Sequence, residues 1–138
     1  MTRIPIKRFA AYLSFSSVLI ACSPVSTVGA PELGVDEGCA DVVAADVETS
    51  FDGTHTFTVT VVSDDQGWDK YADAWIVRVG DTEIGRRELT HPHDTEQPFT
   101  RSLSGVVIPD GATSVTITAN DSVLGECGKA FELSLVSP

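Results

Sequence analysis

The sequence predicts an all-β fold, a seven-stranded antiparallel sandwich, and three observations lead there. Apolar residues recur with a period of two, turn signals separate the alternating runs, and no stretch after residue 22 offers a helical stripe. In HTFTVTVV, residues His55, Phe57, Val59 and Val61 share one face and Thr56, Thr58 and Thr60 the other. In a strand, successive side chains point to opposite faces, so this pattern is that of a half-buried strand. SVTITAND repeats it with Val115, Ile117 and Ala119 inward, and KAFELSLV with Phe131, Leu133 and Leu135. In AWIVRV, Trp75, Val77 and Val79 face one way, which makes Trp75 the expected core tryptophan. Asp52-Gly53, Gly80-Asp81, Pro109-Asp110-Gly111 and Gly125 punctuate these runs.

Strands are therefore expected over 41–49, 55–63, 73–80, 82–88, 98–107, 113–119 and 129–136. Seven short antiparallel strands in a domain of this size read as an immunoglobulin-like or fibronectin-III-like sandwich. The segment IPDGATSVTITAND…KAFELSLV resembles the last two strands of a fibronectin-III domain. One residue resists the pattern. Strict alternation puts Arg101 on the same face as Phe99 and Leu103, so either a bulge near Gly105 shifts the phase or Arg101 pairs with an acid.

Ahead of the strands the sequence reads as an export and anchoring segment. Arg3, Lys7 and Arg8 precede an apolar run from Phe9 to Ala21, the layout of a secretory signal and too short to span a bilayer. The run ends in Leu19-Ile20-Ala21-Cys22, which resembles the bacterial lipobox. That resemblance implies a signal peptide over 1–21, cleavage after Ala21 and acylation of Cys22, including a fatty acyl group such as palmitate. Two or more acyl chains hold a protein stably on a membrane. By the same resemblance, Ser23 behind the cysteine favours the outer membrane in a Gram-negative cell. Residues 22–38 are rich in Pro, Gly and Ser and read as the lipidated cysteine and a linker, roughly 20–25 Å across as a coil. The sandwich domain is then 39–138.

Charge and cysteines narrow the partners. The chain has 9 basic and 20 acidic residues, a net charge of −11. Removing residues 1–21 takes away three basic residues and no acid, leaving 6 − 20 = −14. Such a surface repels phosphate backbones, so no nucleic-acid partner is expected. It also repels anionic headgroups, so membrane attachment is expected through the lipid and not through a basic patch. The lipobox uses one of three cysteines, which leaves Cys39 and Cys127 to form a disulfide in an oxidising compartment.

Two blocks stand out from this scaffold, DDQGWDKYADAW (64–75) and LTHPHDTEQPFTR (89–101). With Asp121 to Gly125, they resemble a set of small exported bacterial proteins sharing GWDKYAD-x-W, HPH-x-x-EQPFTR and D-S-V-x-G. Members often have His where this chain has Leu124, so a third imidazole is missing here.

His91 and His93 could ligate a divalent metal with Asp94 or Glu96, because residues i and i+2 of an extended segment point to the same side. The plainer reading is a polar loop whose course is fixed by Pro92 and Pro98. Trp68 and Tyr71 could stack on a glycan or peptide, or could simply cover one end of the core. No G-x-S-x-G, H-E-x-x-H or free cysteine nucleophile is present. The expectation is a lipid-anchored, non-enzymatic binding or structural module contacting an envelope protein or glycan, with no cofactor. A metal-binding module is the alternative, and a hydrolase using loop acids is the distant third.

Overall fold

A computed structural model describes residues 38–135 of the chain. The signal segment, Cys22 and all but the last residue of the linker lie outside the described residues. The elements are β1 (Asp41–Thr49), β2 (His55–Val62), β3 (Ala72–Val79), β4 (Thr82–Glu88), β5 (Phe99–Val106), β6 (Ser114–Asp121) and β7 (Phe131–Ser134). All seven expected strands are present. β7 is shorter than expected and β6 runs two residues longer, to Asp121.

They form two antiparallel sheets, β1-β2-β5 and β4-β3-β6-β7. Side chains from the two inner faces meet in one core. Phe57, Val59 and Val61 of β2 pack with Trp75 and Val77 of β3, Phe99 of β5, and Val115, Ile117 and Ala119 of β6. Phe131, Leu133 and Leu135 seal its margin, half-buried. Trp75 is fully buried, as expected. Ile76 is also buried, although it faces away from this core between Arg86 and Thr118, its partners in register. The outer face of the first sheet carries a ladder of hydroxyls, Thr56–Ser104, Thr58–Ser102 and Thr60–Thr100, bonded at 2.8–3.0 Å.

Of the two explanations for Arg101, the pairing with an acid holds; a bulge near Gly105 is present but does not change the phase of Arg101. A two-residue step in β2 (His55 to Phe57) opposes a three-residue step in β5 (Leu103 to Val106), and the extra residue is accommodated at Gly105, whose φ of 78° suits a residue without Cβ. The bulge lies after Arg101, so the arginine stays on the inner face, at the sheet margin. There it reaches outward to Glu96 at 2.9 Å. Its aliphatic stem can cover apolar surface while the guanidinium stays wet.

Strand directions sort the connections into two poles. At one lie the start of β1, the β2–β3 loop, the β4–β5 loop and the β6–β7 loop. At the other lie the β1–β2 turn, the β3–β4 turn and the β5–β6 loop. We call them the proximal and distal poles, by distance from residue 38. Cys39 and Cys127 form a disulfide at the proximal pole, tying the entry of β1 to the β6–β7 loop across 88 residues. Gly128 is required beside it, because a Cβ there would collide with the backbone carbonyl of Ala40.

Candidate functional site

The two blocks singled out in the sequence meet at the proximal pole, and a carboxylate joins them. Asp65 lies in the β2–β3 loop with its side chain fully buried. Its Oδ1 accepts from the Ser63 hydroxyl (2.6 Å) and the Ala72 backbone N–H (2.9 Å). Its Oδ2 accepts from the backbone N–H of His93 in the β4–β5 loop (2.8 Å). Gln97 makes the reciprocal tie. Its Oε1 accepts from the Ser63 N–H (3.0 Å), and its Nε2 donates to the Ser63 hydroxyl (3.2 Å) and the His93 carbonyl (3.1 Å). These bonds satisfy loop backbone groups that the strands cannot reach.

The third loop is held the same way. Asp121 ends β6 with its side chain buried. One oxygen accepts from the N–H groups of Val123 and Leu124 (both 2.9 Å), closing the turn, and the other meets the Lys70 ammonium at 2.7 Å. Burial by itself would raise the Asp121 carboxyl, but Lys70 and the two N–H donors hold it below the usual carboxylate range. Tyr71 and Ser122 add two bonds between the same loops. The Tyr71 N–H donates to the Ser122 hydroxyl (3.1 Å), and the Ser122 N–H donates to the Tyr71 carbonyl (2.9 Å). Asp41, also buried, accepts from the Lys129 N–H at 2.6 Å.

The histidines come together but not as the extended-strand expectation has it. The chain bends and turns through 91–97, so His91 is exposed while His93 is buried, 3 % accessible. Their rings are nonetheless 4.5 Å apart. The His93 ring stacks on Phe99 at 3.9 Å, nearly parallel, and neither of its nitrogens has a hydrogen-bond partner. Its Nδ1 stands 4.0 Å from Asp65 Oδ2, too far for a hydrogen bond. Burial holds this imidazole below its ordinary range. Arg101 and His91 push the same way, and Asp65 and Glu96 oppose them only in part.

The proposed third ligands are placed elsewhere. Glu96 is engaged with Arg101, which lowers its pKa through the hydrogen bond and the charge, and Asp94 is exposed in the turn. Among the described residues, no three His, Cys, Asp or Glu side chains converge as a metal-binding group. His55 is at the distal pole, and Leu124, 49 % exposed, lies against Gly38.

Trp68 is where the core-covering reading needs correction. It is 70 % exposed, in edge-to-face contact with the half-buried Tyr71 at 5.7 Å. Phe99, His93 and Leu89, by contrast, are buried. Lys70, Ser63 and Gln97 carry no motif that marks them in the sequence, although they brace these loops. What signal there is lies in Asp121 ahead of Ser-Val-Leu-Gly, a turn-capping pattern, and in a lone lysine among loop acids.

A disulfide-closed, seven-stranded antiparallel β-sandwich is thus the class that the fold defines. No protein-family model matches the chain, and no solved structure matches it. A protein of Halomicrobium mukohataei named "Putative lipoprotein" is 41 % identical over 94 residues, which is 67 % of this chain and 45 % of that protein. The chain therefore spans less than half the length of this relative. The relationship supports a lipoprotein character, in keeping with the Leu19–Cys22 motif.

Proposed function

We propose that the chain is a lipid-anchored cell-envelope module that binds or scaffolds without catalysing a reaction. The observation that carries this reading is how the proximal acids are used. Asp41, Asp65 and Asp121 are buried and bonded to loop backbone, and Glu96 and Glu126 are paired with Arg101 and Arg78. Groups that a sequence reader takes for acid–base candidates serve as braces, and a brace of this kind favours a rigid binding surface. The strand order supports a fibronectin-III-like variant of the sandwich, since β4 lies beside β3 and not at the margin of the first sheet. The partner is an envelope protein or a glycan.

The test is the intact mass of protein extracted from membranes. A lipid adduct on Cys22 in a chain beginning at that residue is expected. A mature chain with an unmodified Cys22 would remove the anchor from this reading.

A second reading, metal binding, rests on the 4.5 Å approach of His91 and His93 and the unpartnered His93 nitrogens. Calorimetry with Cu(II), Zn(II) and Ni(II) decides it. Binding that disappears in both His91→Ala and His93→Ala supports the metal site, and equal weak binding in all three proteins ends it.

A further inference from the structure

We infer that the proximal pole itself docks on the lipid surface, through Trp68, Val123 and Leu124. This rests on the lipid anchor of the preceding reading and adds an apolar contact to it. Those three residues are 70 %, 63 % and 49 % exposed, and they sit on two loops bound to each other through Tyr71–Ser122 and Lys70–Asp121. Exposed tryptophan and aliphatic groups on a braced platform suit the headgroup–acyl boundary, where an indole keeps its N–H wet and its ring in lipid.

The position of residue 38 chooses the membrane over other occupants. A Cβ at Gly38 would lie 3.5 Å from the Leu124 side chain and 3.6 Å from that of Lys70, so the linker enters the domain beside this patch. Cys22 and Gly38 are sixteen residue steps apart, a span of at most about 58 Å. A lipid on Cys22 thus holds this pole near the bilayer at high local concentration, so weak apolar contacts suffice. Phe51 and Val107, exposed apolar residues of the distal pole, lie at the end away from Gly38. Exposed Asp64 and Asp69 flank Trp68 and oppose anionic headgroups, so the contact is apolar and strongest on neutral lipid or in high salt.

The chain has two tryptophans, and Trp75 is fully buried, so Trp68 reports the contact. Full-length mature protein, its Cys22 adduct verified by mass, is reconstituted into brominated phosphatidylcholine vesicles. Loss of the Trp68 share of the emission, absent in Trp68→Phe and reduced in Val123→Ser/Leu124→Ser but unchanged in Phe51→Ser, is the expected result. A verified adduct with Trp68 unquenched by lipid and still open to aqueous quencher overturns the docking and leaves the anchor standing. Trp68 shielded from aqueous quencher in a Cys22→Ser chain, free of lipid and detergent, means that the linker, a second copy or another protein covers it, and also overturns the docking. Stronger quenching on phosphatidylglycerol at low salt overturns the apolar mechanism. A mature chain without an adduct removes the anchor and this inference together.

Discussion

The two poles of the sandwich solve the same connection problem with different chemistry. The distal pole turns the chain in few residues, with Gly53, Gly80 and Gly111 at positive φ and little buried polarity. The proximal pole carries three long loops, a disulfide and three buried aspartates that accept backbone hydrogen bonds across 2 to 88 residues of sequence. The lesson is about reading acids. In long loops a carboxylate has two oxygens for several orphan N–H groups, so a cluster of acids can be scaffolding before it is chemistry.

The largest expected break in this contrast is Cys39→Ala/Cys127→Ala. Removing a native disulfide costs about 2–5 kcal/mol, which a fall in the urea midpoint would register. Hydrogen exchange should place the loss at the start of β1 and in residues 122–130, with the distal turns unchanged. Equal deprotection at both poles would contradict the view that the bridge belongs to one of them.

Asp65→Ala comes next. It strands the N–H groups of Ala72 and His93 and the Ser63 hydroxyl in a buried site. The expected cost is about 3 kcal/mol. The distal counterpart is Asp52, which accepts from Thr54 in an exposed turn. Asp52→Ala should leave the denaturation midpoint within the scatter of surface substitutions. If the two variants behave alike, the proximal acids are not the braces described.

How much of this the sequence discloses follows from the range of the interactions. Strand faces are local, set by alternation alone, so Phe57, Val59, Val115 and Ile117 are placed correctly without any tertiary knowledge. The Cys39–Cys127 pairing follows from counting once a lipobox uses Cys22. The burial of His93 is not local. It depends on Phe99 of the next strand beneath its ring and on Asp65, 28 residues earlier, fixing its backbone. Trp68 misled for the converse reason. A large aromatic usually fills a core, but here Phe99 and Trp75 already fill it, leaving Trp68 outside. Within 64–75 nothing local distinguishes Asp65, whose side chain is buried, from the exposed Asp64 and Asp69.

Gly85 sharpens the comparison from between the poles. It sits on β4, where a Cβ would approach Leu103 and Val106 of β5 at 3.1 Å. Gly85→Val should overpack this margin and cost about 1–3 kcal/mol, with loss of stability spread over both poles. A change confined to one pole would show that the sheets are not coupled through this edge.

The smallest effect is the most diagnostic, because it separates two kinds of proximal group by pH. The His93 pKa is depressed from 6.5, so the unfolded chain binds more protons than the folded one below that pH. Its contribution is complete above pH 6.5 and is lost as pH falls through the lower folded value. The carboxylates act later. Glu126 is lowered from 4.5 to about 2, chiefly by its hydrogen bond to Arg78, and Asp121 from 3.8. Their contribution is present above those starting values and drains away towards pH 2. His93→Phe keeps a ring on Phe99 and removes two nitrogens that have no partner, so it should not destabilise at neutral pH. Urea midpoints from pH 7 to pH 2 should lose the decline that begins near 6.5 and retain the one below 4.5, whereas Glu126→Gln should keep the first and lessen the second, leaving the Asp121 share. A His93→Phe profile that matches wild type would mean that the imidazole titrates freely in the folded protein, and that the β4–β5 loop is far less firmly packed than Asp65 and Phe99 make it.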